Sequence, residues 1–257
     1  MDGGGGFDDL AGAGVDGSRA SVVPAGIRTV GHRATSATRI VLVRHGEAVC
    51  NVSGVCGGPI GCGGLTKDGR RQVESLRDRL LVTGELAGAD ALYASVLPRA
   101  IETAELLAPA LAASGPGGRA GPLPELITDC SLCELHPGEA DGLTWEEFTA
   151  TFGDVDWDAE PGQEIAPGGE SWTGFVNRVS VSLEAIAARH IGQTVVVACH
   201  AGVIEASLLA KVPVAGGLEG ARLKLRTRHA SLNTWEVDGE GWRLLAYNDG
   251  THLAGSA

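Results

Sequence analysis

The sequence predicts an α/β fold: a three-layer sandwich with a mostly parallel central sheet, helices on both faces and an antiparallel edge strand. Three observations carry this expectation. Short apolar runs recur, IVLV (40–43), ALYASVL (91–97) and TVVVACH (194–200), and such runs suit strands buried on both faces. Segments of helical period separate them, the alternation that builds parallel sheets. The chain closes on SLNTWEVDG (231–239) and GWRLLAYN (241–248), joined by a short Gly-containing turn, which predicts a hairpin at one edge of the sheet.

Each element follows from its local pattern. Residues 1–38 are rich in Gly, Ala, Ser and Asp and show no sustained period, so they are read as a disordered tail ahead of one domain, 39–257. IVLV is the first strand. Residues 66–83 place Val73, Leu76, Leu80 and Leu81 near helical spacing, with Thr66 as the N-cap and Gly84 as the stop. The second strand, from Ala91, ends near Ser95, and RAIETAELLAPAL (99–111) is a helix. A Gly/Pro loop covers 114–124, and PELITDC (124–130) reads as a further strand. A short helix spans Trp145 to Phe152, a Pro/Gly loop 157–169, and a long amphipathic helix Ser171 to His190. TVVVACH is the fourth apolar strand, and a helix starts at Gly202 and runs toward Val212.

Bulk properties narrow the function classes. With 257 residues, 44% of them apolar, the chain can bury a large core. A net charge of −12 argues against binding nucleic acid or an anionic membrane. No segment is long and apolar enough to span a bilayer, and MDGGGGFDDL lacks the charged and apolar regions of a secretory signal, so the expected location is cytoplasmic. Six cysteines without a signal read as reduced, unliganded thiols. Cys130 and Cys133 form a CxxC, but zinc sites usually pair two close-spaced couples, so no metal is expected.

Reactive groups stand at four strand ends: Arg44 and His45, Ser95 to Arg99, Glu134, and His200. In open α/β sheets ligands bind beyond the carboxyl ends of strands, so these groups can converge in one cleft. Arg44 and Arg99 offer fork-shaped donors for a dianionic oxyanion, and the helix from Gly202 adds backbone N–H groups. Two nearby guanidinium groups favour neutral imidazole, which is a good nucleophile toward phosphorus. Glu134 can deliver the proton a leaving alkoxide needs, with Glu139 and Asp141 as substitutes. No Walker loop or kinase signature appears, so nucleotide-dependent transfer is not indicated.

The chain resembles the histidine phosphatase superfamily, also called the phosphoglycerate mutase-like family. RHGEAVCN (44–51) is similar to its R-H-G-E-T-x-x-N signature, with Ala48 in the Thr place. SVLPRAIETA (95–104) is similar to its second arginine motif, and CELHPGEADG (133–142) to its acid motif in spacing. ACHAGVI (198–204) resembles S-H-G-G-V-I, with Cys199 for Ser and Ala201 for Gly; PGGESWTGFVNRV resembles a family helix opening, and YNDGTHL (247–253) the family's tail. The resemblance covers residues 39–253. It implies that His45 attacks phosphorus and holds it as phosphohistidine, that Arg44, Arg99, His200, Asn51 and the backbone at Ala201 bind the phosphoryl group, and that Glu134 serves as acid and then base. It implies no cofactor and no metal.

Mutases of this family typically carry an R-H-Y-G run and paired arginines after the acid. Here Leu135, His136, Pro137 and Gly138 follow, and the segment 135–170 is acidic, with ten Asp and Glu residues from Glu139 to Glu170. The expectation is a cofactor-independent phosphomonoesterase acting on a small metabolite, a sugar phosphate or an intermediate of specialised metabolism. A mutase-like isomerase and a non-catalytic phosphate-binding relative are the alternatives. Oligomeric state is left open, a homodimer included. His32, His136, His190, His229 and His252 are assigned no catalytic part, and Trp145, Trp157 and Trp172 are assigned to packing rather than to a lid.

Overall fold

The structure is a computed structural model that describes residues 37–113, 121–211 and 225–254. Six strands form one sheet: β1 (Thr38–Arg44), β2 (Ala91–Ala94), β3 (Leu126–Thr128), β4 (Thr194–Cys199), β5 (Leu232–Asp238) and β6 (Gly241–Asp249). Their order is β3-β2-β4-β1-β5-β6. The first four run parallel, whereas β5 pairs antiparallel with β1 and β6 with β5. The hairpin therefore occupies one edge, as its sequence predicts.

Alternate residues of each parallel strand feed two cores. Ile40, Leu42, Tyr93, Val195 and Val197 pack against α5 (Trp172–Arg189) and α6 (Ala201–Leu209). Val41, Val43, Leu92, Val196 and Ala198 pack on the opposite face against α2 (Lys67–Thr83) and α3 (Pro98–Leu111). Both faces of β1 are buried, which is why IVLV reads as a continuous apolar run rather than an alternating one. Burying each such Leu or Val side chain stabilises the fold by about 1.5–3 kcal/mol before entropy is counted. Two further helices are short: α1 (Val49–Ser53) and α4 (Trp145–Phe152).

The start and stop signals of α2 operate as read. The Thr66 hydroxyl accepts from Gly69 N at 2.9 Å, and Gly84 ends the helix at φ 66°. Ser171 caps α5 in the same way. Other boundaries shift. The strand expected over 124–130 shrinks to three residues, because Cys130–Leu132 turns into 3-10 helix, opened by the Asp129 carboxylate on Ser131 N. α1 escaped the periodicity argument because five residues hold little more than one turn. Of the tail expected over 1–38, only the last two residues are described, and Thr38 already belongs to β1. Residues 114–120 of the Gly/Pro loop and Val212 at the expected end of α6 also lie outside the described residues, and α6 itself ends at Leu209.

Candidate active site

Strand register brings the reactive residues together. Arg44 sits opposite Cys199 across the β1–β4 pair, and Ala94 opposite Ala198 across β2–β4. His45, Ser95 and His200 are therefore the next residues out of the sheet, at one end. α1, α3 and α6 all begin just beyond that end. Gly46 allows the turn: a Cβ there would lie 2.3 Å from the Gly69 carbonyl oxygen and 2.8 Å from the Gly69 carbonyl carbon, so the loop after His45 can press directly on the first turn of α2.

The two imidazoles face each other with ring centroids 5.1 Å apart. His45 Nδ1 lies 2.6 Å from the Gly46 carbonyl oxygen, which can only accept, so Nδ1 carries the proton and Nε2 a lone pair. Arg99 Nε donates to that Nε2 and to His200 Nδ1, each at 3.2 Å. His200 is thus the opposite tautomer, and its Nε2–H meets the Ser95 hydroxyl at 2.7 Å. Both rings are neutral. Burial, reinforced by the charge of Arg99, holds each proton affinity well below the ordinary histidine value.

Arg99 is itself buried and also donates from a terminal nitrogen to Gly57 O at 2.7 Å. Arg44, half-buried, donates to the Thr227 carbonyl, and its Nε is buried with no hydrogen-bond partner among the described residues. Burial lowers its proton affinity, and Glu134 opposes that effect. Glu134 Oε2 accepts from Gly202 N at 3.1 Å, so the carboxylate rests on the first turn of α6. Gly202 makes room for it: a Cβ there would lie 2.1 Å from Glu134 Oε1.

Arg44, His45, Asn51, Arg99, Glu134 and Gly202 line a cleft of about 390 Å³. His200 and Ala201 are not part of its wall; His200 stands fully buried behind Arg99. Asn51 is exposed at the rim, and its side-chain oxygen accepts from Ala48 N at 3.0 Å, closing the first turn of α1. The substitutes for Glu134 have other situations. Asp141 accepts from Ile60 N and Gly61 N, and Glu139 is exposed outside the cleft.

Two groups of residues stand nearer the cleft than their sequence reading suggests. Trp145, Trp157 and Trp172 line the cleft as well as packing, with the last two rings stacked at 5.9 Å. His229, assigned no part, lies 5.7 Å from the His45 ring, and its Nε2 is buried without a partner. Burial and Arg44 push its proton affinity down to about 4. The available signal was topological: an antiparallel strand entered beside the carboxyl end of β1 must bring the residues just before it to Arg44. The hydrogen bond from Ala230 N to Arg44 O marks that contact.

This arrangement suits transfer of a phosphoryl group between an oxygen and a histidine. The sequence profile of the histidine phosphatase superfamily (branch 1) matches residues 40–250. The chain belongs to that superfamily, and by class it is a histidine-type phosphatase, a phosphoric monoester hydrolase. Among its relatives, a metal-independent phosphoserine phosphatase of Arabidopsis thaliana is 31% identical over 84% of this chain and 84% of its own length. Phosphoglycerate mutase-like protein 4 of the same plant is 30% identical over 83% of this chain and 86% of that protein. Of the solved structures, Bacillus stearothermophilus YhfR superposes with a TM-score of 0.67 at 29% identity, covering 84% of this chain and 99% of that one.

Proposed function

We propose that this chain hydrolyses the phosphomonoester of a small metabolite through a phosphohistidine on His45. The observation that carries the reading is the tautomer of His45. Its Nδ1–H is tied to a backbone carbonyl, which leaves an Nε2 lone pair, met by Arg99 Nε until substrate takes that contact, beside a cleft that also holds two guanidinium groups and a carboxylate. Nε2 attacks phosphorus in line, and the P–O bond to the leaving group breaks. Arg44 and Arg99 stabilise the charge on the phosphoryl oxygens, with the unpartnered Arg44 Nε as one donor. His200 acts from behind, fixing Arg99 between the two rings, with its Nε2–H held by Ser95. Glu134, protonated, gives its proton to the departing oxygen; as carboxylate it then takes one from the water that attacks the phosphohistidine. Asn51 lends its amide at the rim. No metal or cofactor has a step here, which accords with the metal-independent relative.

The cleft walls bear on the substrate. Three tryptophans, Leu135, Pro137 and Ile165 surround the space beyond Glu134. Indole faces suit a ring-shaped organic group, as in a sugar phosphate or a specialised-metabolism intermediate. Among the described residues the lining includes no lysine and no arginine besides Arg44 and Arg99, so no further described cation faces a second anionic group of a bisphosphate. That favours hydrolysis over mutase chemistry.

The test is His45→Ala, assayed by released phosphate across a panel of metabolite phosphomonoesters. A loss of kcat of at least about 10³-fold is expected, with an acid-labile, alkali-stable phosphoenzyme trapped in the parent protein and absent from the variant. Retention of more than about a tenth of the parent kcat sinks the covalent route. Activity unaffected by EDTA is the accompanying expectation.

A further inference from the structure

Outside the cleft wall, one cluster of soft ligands is gathered by a loop that the reaction does not explain. The Sγ atoms of Cys130 and Cys133 and a ring nitrogen of His136 all lie within 4.8 Å of one another. Cys130 Sγ and His136 Nε2 are 3.5 Å apart. Tetrahedral zinc, with bonds of about 2.3 Å to sulfur and about 2.05 Å to imidazole nitrogen, sets a sulfur-to-nitrogen edge of about 3.6 Å. The two side chains already stand at that separation.

The loop is held in this shape by Arg178 and Glu170. Arg178 of α5 donates to the carbonyls of Ser131 at 2.8 Å, Cys133 at 3.1 Å and Glu134 at 3.3 Å. Its other contacts hold Glu170 at 2.7 and 2.6 Å. Glu170 Oε2 in turn accepts from His136 N at 2.9 Å and stands 3.6 Å from His136 Nδ1. A carboxylate behind the non-ligating ring nitrogen is the usual second partner of a metal-bound histidine. Cys133 is buried and fixed, whereas Cys130 is exposed, so the fourth tetrahedral position opens toward water.

We propose that Cys130 Sγ, Cys133 Sγ and His136 Nε2 bind one thiophilic divalent cation, zinc by ligand type, with water as the fourth ligand. Binding replaces two thiol protons, which pass to solvent. This departs from the expectation of unliganded thiols, because the fold supplies from His136 the ligand that a lone CxxC lacks. The ion holds the loop rather than taking part in the phosphoryl chemistry. It fastens the segment that ends in Glu134, the residue directly after Cys133. The site stands whether or not the phosphatase mechanism does.

The experiment uses the full chain, reduced and stripped with a chelator, then titrated with Co²⁺. Thiolate-to-cobalt absorption in the near ultraviolet and tetrahedral bands in the visible should saturate at one cobalt per chain and vanish on adding Zn²⁺. Cys130→Ser, at an exposed position, and His136→Ala should each weaken cobalt binding at least about tenfold. Absence of thiolate absorption in the parent protein overturns the proposal, as does equal binding in both variants, which would put the metal on other cysteines. A thiol titre of untreated protein two below the six cysteines, with no cobalt uptake after reduction, overturns it in favour of a Cys130–Cys133 disulfide.

Discussion

Replacing Gly202 with alanine should separate catalysis from stability. The added Cβ would lie 2.1 Å from Glu134 Oε1 and 3.0 Å from its Cδ. Ordinary contact begins near 3.4 Å, so the carboxylate must retreat by about 1.3 Å. It can, being the end of a flexible side chain, and alanine is the better helix former by about 0.5–1 kcal/mol; against that, the new Cβ also stands 3.2 Å from Cε1 of the buried Phe175, so the thermal midpoint should change little. The retreat takes the acid away from the leaving oxygen. A misplacement of about 1 Å costs on the order of 10²-fold, and complete loss of general acid catalysis about 10²–10⁴-fold. The expected drop in kcat is therefore about 10²-fold on an alkyl phosphate. It should be much smaller on p-nitrophenyl phosphate, whose leaving group needs little protonation. Steady-state kinetics on both substrates, with a melting curve, decide the matter. Equal losses on the two substrates, or full activity on the alkyl ester, would refute the role given to Glu134.

Two further predictions concern pH and acid stability. His229 is held down to about 4, so on acidification the unfolded chain takes up its proton first and the fold loses stability between pH 6.5 and about 4. After allowance for solvent screening of this half-buried ring, His229→Gln should remove about 2 kcal/mol of that slope in urea titrations at pH 7 and 4.5; an unchanged slope counts against it. Arg79 of α2 binds Asp249 at 2.7 Å, Glu85 at 2.8 Å and Thr251 at 2.9 Å, tying the chain end to the sheet. Arg79→Ala should cost about 2 kcal/mol near neutral pH. Asp249 is held well below the usual carboxylate range, chiefly by Arg79, so its contribution is present above the unfolded value of 3.8 and is lost as pH falls below it. The variant should lack that acid loss, and a parent-like acid transition would argue against the assignment.

Legibility in the sequence followed the length scale of each interaction. β1, β2 and β4 were readable because burial on both faces leaves no polar alternation, and they end just before His45, Ser95 and His200, which must leave the sheet. The long helices were readable from period and caps, Thr66 and Ser171 among them. His229 was not, since its place beside His45 depends on a strand pairing 191 residues apart, Leu42 with Asn233. The tryptophans combine packing with an exposed face, and composition cannot tell one from the other. The ligand triangle at Cys130, Cys133 and His136 depends on Arg178, whose bonds to four successive-loop carbonyls leave no mark on spacing.

That guanidinium has a bearing on how such a chain can diverge. Because Arg178 belongs to α5 and grips residues 130–134 by their main-chain oxygens, the path of that loop is indifferent to most of the letters written along it. Drift can therefore rewrite side chains along 130–134 while the backbone that carries Glu134, the proposed proton donor, keeps its station. Swapping the head group at 178 would do the reverse, leaving those side chains intact and setting the donor adrift.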